Sequence, residues 1–220
     1  MRLSAILLCC ALAAATASQA QPRPVLVEYY GDSTVWGYAS GSDGRQVARP
    51  APQVFAEALR TRVRVDVRNH GVSGSTACAL LEGTDGRHPP WPEQMRASKA
   101  QFVILNHAIN DQWRHDLEAY RACLRELART ARAHGKQVIF ETPNPTRDSG
   151  VGGLDTYVAA MKEVALQEGL PVIDQYTFLN DKLRGRSPLL FAPDGLHPSD
   201  TVYVMKGMFA AHAFSRLFGL

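Results

Sequence analysis

Apolar residues in this chain follow two rhythms. Short apolar runs at 25–30, 63–67, 102–106, 137–141 and 171–173 read as buried strands. Between them the spacing lengthens to three and four residues. Over 116–134, Leu117, Tyr120, Leu124, Leu127 and Ala131 form one apolar stripe with arginines on the other face, which predicts an amphipathic helix. Residues 154–167 and 201–218 repeat that spacing, 52–60 does so more briefly, and a short helix is expected near Phe178. Strands alternating with helices predict a parallel sheet covered on both faces. No internal repeat or low-complexity linker divides the 220 residues, so a single domain over 21–220 is expected.

The first twenty residues stand apart from this pattern. Arg2 gives a positive start, an apolar run covers 5–17, and Ser18-Gln19-Ala20 offers small residues around a cleavage point. The run is shorter than the roughly 20 residues a spanning helix needs, so it reads as a cleaved secretory signal rather than a membrane anchor. A secreted or periplasmic protein without a stable membrane anchor is the expectation. Cleavage removes Cys9 and Cys10, leaving Cys78 and Cys123 either as one disulfide or as two buried thiols. Lys and Arg number 24 against 21 Asp and Glu, a balance too even to suggest a nucleic-acid partner.

Candidate chemistry begins where the first apolar run stops, at Gly31-Asp32-Ser33. A strand that ends in a glycine turn and hands over to a helix leaves Ser33 at the carboxyl edge of the sheet, where α/β proteins bind ligands. A serine nucleophile needs a base, and the segment Ala192-Pro193-Asp194-Gly195-Leu196-His197-Pro198 supplies one in a loop. A tight turn there brings the Asp194 carboxylate to one nitrogen of His197 and leaves the other to face Ser33. Two more segments follow strands and can offer hydrogen-bond donors: Asn69-His70-Gly71-Val72-Ser73-Gly74-Ser75-Thr76, and His107-Ala108-Ile109-Asn110-Asp111. Glycine- and proline-rich loops at 38–50, 143–153 and 185–200 follow the first, fourth and fifth strands, and are expected to face substrate at the same edge.

These four segments, in this order, resemble the blocks of the SGNH branch of the GDSL esterases and lipases, and the likeness runs from about Val25 to Pro198. The resemblance implies a three-layer α/β/α domain with a central, mostly parallel sheet of about five strands in a flavodoxin-like arrangement. It also implies Ser33 as nucleophile, His197 as base and Asp194 as its orienting acid, with Gly74 and Asn110 completing an oxyanion hole begun by the Ser33 N–H. One departure is Ala108, where the family usually carries glycine. His107, just before it, is a candidate substrate contact or a packed or capping histidine.

The scheme needs no cofactor, and the sequence holds no metal-binding run of the His-Glu-x-x-His, Cys-x-x-Cys or calcium-loop kinds. The expected activity is hydrolysis of short acyl esters or carbohydrate O-acetyl groups through an acyl-enzyme. Trp36, Tyr38, Trp91 and Trp113 are candidates to face a sugar ring, to line an acyl pocket or to fill the core. An O-acyltransferase using the same site and a catalytically silent glycan- or lipid-binding domain are the rival expectations.

Overall fold

The computed structural model describes residues 24–147, 153–184 and 192–220, so the expected signal segment at 1–20 lies outside the described residues, as do parts of the loops at 143–153 and 185–200. Five strands, β1 (Val25–Gly31), β2 (Val65–Gly71), β3 (Phe102–Asn106), β4 (Gln137–Glu141) and β5 (Val172–Ile173), form one sheet in the order β2-β1-β3-β4-β5. Every neighbouring pair is parallel. The expected three-layer arrangement and strand number are present. This order is that of flavodoxin-like sheets, in which the crevice between β1 and β3 is the ligand-binding switch point.

Side chains of a strand alternate between faces, and the core divides accordingly. Tyr30, Val103, Leu105, Val138 and Phe140 point to one face and pack on Leu80, Trp91, Leu124, Leu127 and Met161. Those partners come from α3 (Ala77–Glu82), α4 (Trp91–Ala97), α6 (Leu117–Ala133) and α7 (Leu154–Glu168). Val27, Tyr29, Phe102, Ile104 and Ile139 point the other way, onto Phe55 and Leu59 of α2 (Ala51–Leu59) and Ala210 and Phe214 of α9 (Asp200–Phe218). Three short helices complete the chain: α1 (Ser33–Trp36), α5 (Asp111–Arg114) and α8 (Gln175–Leu183).

The long helix follows its pattern closely. Tyr120, Leu124, Leu127, Ala128 and Ala131 of α6 are buried, and Asp116 caps it by accepting the Ala119 N–H at 2.8 Å. Its outer arginines reach α7, with Arg121 2.9 Å from Glu163 and Arg129 2.7 Å from Glu168. A disulfide joins Cys78 of α3 to Cys123 of α6, resolving the choice the sequence left open.

The second strand differs from expectation. It runs over Val65–Gly71 rather than 63–67, taking in Arg68, Asn69 and His70. The polar residues are accommodated because β2 is the sheet's edge and β1 is its one neighbour. Asn69 Nδ2 donates to the Val35 carbonyl at 2.9 Å, and His70 stacks on Tyr30 with ring centroids 4.6 Å apart. The turn that carries Gly74 therefore starts at Val72.

Candidate active site

Three strand ends lie side by side, because Gly31 is in register with Gly71 on one neighbour and Asn106 on the other. Both glycines are places where the chain passes too close for a side chain. A Cβ on Gly31 would meet the Asn106 carbonyl at 2.5 Å, and one on Gly71 would meet the Trp36 N at 2.2 Å. This close approach seats α1 directly on the strand ends. Asp32 caps α1, its Oδ1 accepting both the Thr34 N–H and the Thr34 hydroxyl at 2.8 Å. Ser33 is thus the first residue of a helix, where the N–H has no intrahelical acceptor.

Asp194 and His197 meet Ser33 from across the molecule. His197 Nε2 lies 3.0 Å from Ser33 Oγ, and His197 Nδ1 lies 2.9 Å from Asp194 Oδ2. An ionised carboxylate only accepts, so the Nδ1 atom carries the proton and Nε2 is left as the acceptor facing the serine. The other oxygen, Asp194 Oδ1, accepts the Leu196 and His197 N–H groups at 2.9 and 2.7 Å. Burial pushes this carboxyl up, but the hydrogen bonds from the His197 ring and from the two N–H groups outweigh it and bring it down to about 2.

Gly74 and Asn110 arrive at the same edge. Gly74 takes φ +80°, a conformation open to glycine, and its N–H makes no hydrogen bond among the described residues. Its carbonyl is held by Arg114 Nη1 at 2.9 Å. Asn110 Nδ2 donates to the Ser75 carbonyl at 3.0 Å, which fixes the amide plane and leaves its second N–H for another acceptor. Ala108 is fully buried in the core, and no non-glycine among the described residues takes a positive φ.

His107 is brought near the site but not into it. The side chain is 1% exposed, with Nε2 3.5 Å from Ser75 Oγ, and burial pushes its imidazole down to about 3. From that position it faces Ser75, whose carbonyl accepts the Asn110 amide N–H. The preceding strand end forces this, because the neighbouring β3 residues Leu105 and Asn106 are also fully buried.

Several residues support this arrangement, and all but Tyr38, which the sequence had offered to a sugar ring, an acyl pocket or the core, escaped the sequence reading. Tyr38 stacks on the His197 ring at 4.4 Å, the Ser40 hydroxyl accepts the Asp194 N–H at 2.9 Å, and the Gly41 N–H donates to Asp194 Oδ2 at 3.3 Å. They sit in the loop at 38–50 whose composition had suggested a role facing substrate. Beneath His197, Asn144 Nδ2 donates to the Leu196 carbonyl at 3.2 Å while its Oδ1 accepts from Lys206 Nζ at 3.0 Å. Lys206 is fully buried, and burial pushes its ammonium down against the pull of the Glu141 and Asp32 carboxylates. A lysine within the apolar stripe of Val202, Tyr203 and Ala210 is the sequence signal that could have found it.

Two more buried acids stiffen the site. Glu141 is held by the Tyr29 hydroxyl, by Asn106 Nδ2 at 2.9 Å and by Gln175 Nε2 at 2.6 Å. Asp111 Oδ1 accepts the Ala77 N–H at 2.9 Å and ties the start of α3 to α5; burial pushes this carboxyl up to about 7. Among the described residues no group of three or more His, Cys, Asp or Glu side chains is arranged to hold a metal ion.

Known proteins share this fold. An acetylxylan esterase of Geobacillus stearothermophilus is 28% identical over 178 residues, covering 74% of this chain and 76% of that one. The crystal structure of Axe2, an acetylxylan esterase of that organism, superposes with a TM-score of 0.70 at 26% identity, covering 89% of this chain and 94% of that chain. A putative G-D-S-L lipolytic protein from Desulfitobacterium hafniense shares the fold at 20% identity and a TM-score of 0.69, covering 86% of this chain and 99% of that one. Residues 29–204 match the GDSL-like Lipase/Acylhydrolase family, and the chain belongs to that family of acylhydrolases.

Proposed function

We propose that this protein is an exported serine esterase that removes short acyl groups, O-acetyl groups on carbohydrate foremost, through an acyl-enzyme on Ser33. The observation that carries the reading is the hydrogen-bonded line from Asp194 Oδ2 through His197 to Ser33 Oγ, at 2.9 and 3.0 Å. His197 Nε2 takes the Ser33 proton as Oγ attacks the ester carbonyl, and Asp194 stabilises the imidazolium that results. The oxyanion is received by the N–H groups of Ser33 and Gly74 and by the second N–H of Asn110. Collapse returns the proton from His197 to the departing alkoxide, giving the alcohol and an acyl-Ser33. Water then gives its proton to His197 as it attacks, and breakdown releases the acid and restores the serine.

The name acetylxylan esterase on similar proteins supports an acetyl ester as substrate. Catalytic mutants of Axe2 replace a serine and a histidine by alanine, the two residue types joined here at 3.0 Å. The Cys78–Cys123 bond fits export to an oxidising compartment.

Hydrolysis of 4-nitrophenyl esters of graded chain length tests the reading. Acetate is expected to be favoured over octanoate, and Ser33→Ala to lower kcat on the order of 10⁴–10⁶-fold and to abolish labelling by a fluorophosphonate. Labelling that persists in Ser33→Ala would place the nucleophile elsewhere.

A further inference from the structure

The four aromatic residues that the sequence offered to a sugar or an acyl chain separate cleanly in the structure. Trp91 is fully buried, with Nε1 donating to the Leu127 carbonyl at 2.9 Å. Tyr38 is committed to the His197 ring, and Trp36 packs beside Tyr38 at 6.1 Å. Trp113 alone stands open, with 66% of its surface in solvent. A large aromatic left in water beside a catalytic edge carries an unfavourable exposure that a ligand can relieve.

Trp113 lines a cleft of about 290 Å³ together with Gln112, Thr146 and Arg147, and residues 194–196 form its far wall. One wall therefore begins two residues after Asn110, and the other ends one residue before His197. That places the cleft on a defined side of the reaction. The carbonyl oxygen is drawn to the Asn110 amide, whereas the departing alcohol must collect its proton from His197. The alcohol leaves on the His197 side, and the cleft wall at 194–196 runs directly into His197 in the chain.

The lining selects the kind of alcohol. Gln112 Nε2 is buried and has no hydrogen-bond partner among the described residues. The Arg147 side chain lies flat on Gly195, close enough that a Cβ there would come within 2.8 Å of its Nε. An alkyl alcohol would leave the Gln112 amide as unpaired as it is in the free protein, whereas a hydroxyl can accept its N–H. A pyranose has what the cleft asks for: an apolar C–H face for the indole and a rim of hydroxyls for the amide and guanidinium. The volume sits at the low end of ligand clefts, roughly 300 Å³, and suits a single ring.

We propose that Trp113, with Gln112 and Arg147, forms a subsite for the sugar ring of the leaving alcohol, so that the preferred substrate is an O-acetylated pyranoside. The subsite rests on the assignment of Ser33 and His197 made above.

The test compares kcat/KM for acetylated xylooligosaccharide with kcat/KM for 4-nitrophenyl acetate. Trp113→Ala is expected to lower the ratio of the first to the second by about tenfold, with the loss residing in KM, as removal of ground-state binding requires. Trp113→Phe, which keeps an aromatic face, is expected to restore most of it. A direct reading uses Ser33→Ala, whose tryptophan fluorescence should respond to xylotriose and lose that response in Ser33→Ala/Trp113→Ala. An unchanged ratio in Trp113→Ala, or an equal response of the two proteins to xylotriose, overturns the subsite. Failure of the underlying reading has a different signature: ester hydrolysis that survives Ser33→Ala moves the nucleophile, while the Trp113 ratio and the xylotriose response still decide the subsite.

Discussion

The Ser33 side and the His197 side of the proposed site are built on different principles. Ser33, Gly74 and Asn110 each lie within four residues of a strand end, and those ends are adjacent in the sheet. Their positions follow from strand pairing, glycine close approach and short helices seated on the edge. Asp194 and His197 lie between α8 and α9 and belong to no strand. Their positions come from contacts with other loops: Ser40 on the Asp194 N–H, Gly41 on its carboxylate, Tyr38 on the ring, and Asn144 backed by Lys206 from below. Topology holds one half of the proposed site, and contacts between residues 52 to 159 apart in the chain hold the other.

The largest expected effect that sharpens this contrast is on the topological half. Asn110→Ala removes a donor without touching the sheet, so kcat for 4-nitrophenyl acetate should fall about 10²–10³-fold while the thermal midpoint stays close to that of the unmodified protein. A thermal midpoint that falls with kcat would mean that Asn110 holds the fold, through Ser75, as well as the oxyanion.

Next comes the contact-held half. Lys206→Met leaves Asn144 Oδ1 without its donor and the neighbouring buried carboxylates without a cation, which should cost about 3 kcal/mol of folding stability in urea titrations. Full stability in Lys206→Met would show that the base loop is held without this tie, and would erase the distinction between the two sides.

The smallest effect is on pH. The Asp194 carboxyl is lowered from 3.8 to about 2, so ionised Asp194 favours the folded chain above pH 3.8, and that contribution is lost as pH falls through about 2. Solvent reaches 27% of the Asp194 side chain, so screening keeps the contribution small. The stability difference between the unmodified protein and Asp194→Asn should therefore close between pH 4 and 2. Closure at a higher pH would point to a different acid as the partner of His197.

This division also explains what was legible in the sequence. The strands at 102–106 and 137–141 showed themselves because both faces are buried, and a continuous apolar run has few other meanings. The end of β2 did not, because an edge strand tolerates Arg68, Asn69 and His70. Ser33, Gly74, Asn110, Asp194 and His197 were readable as residues in short blocks, and the structure brings all five to one edge. His107 was readable only as an ambiguity, since its meaning depends on burial. Lys206, Asn144, Ser40 and Gly41 were not assigned because each acts on a partner distant in sequence, and local patterns carry no distances.

The Cys78–Cys123 bond has a consequence for the integrity of the enzyme as a covalent object. It closes 78–123 into a ring of chain that includes the Asn110 amide and the Trp113 wall of the cleft. Within that ring, Thr84, Gly86 and Arg87 are exposed in the connection between α3 and α4, where a protease finds its easiest cut. Such a cut opens the ring but frees neither piece, so donor and nucleophile remain on one molecule. After reduction the same cut splits the protein between Ser33 and Asn110, and survival of a single nick becomes a property of the redox state outside the molecule.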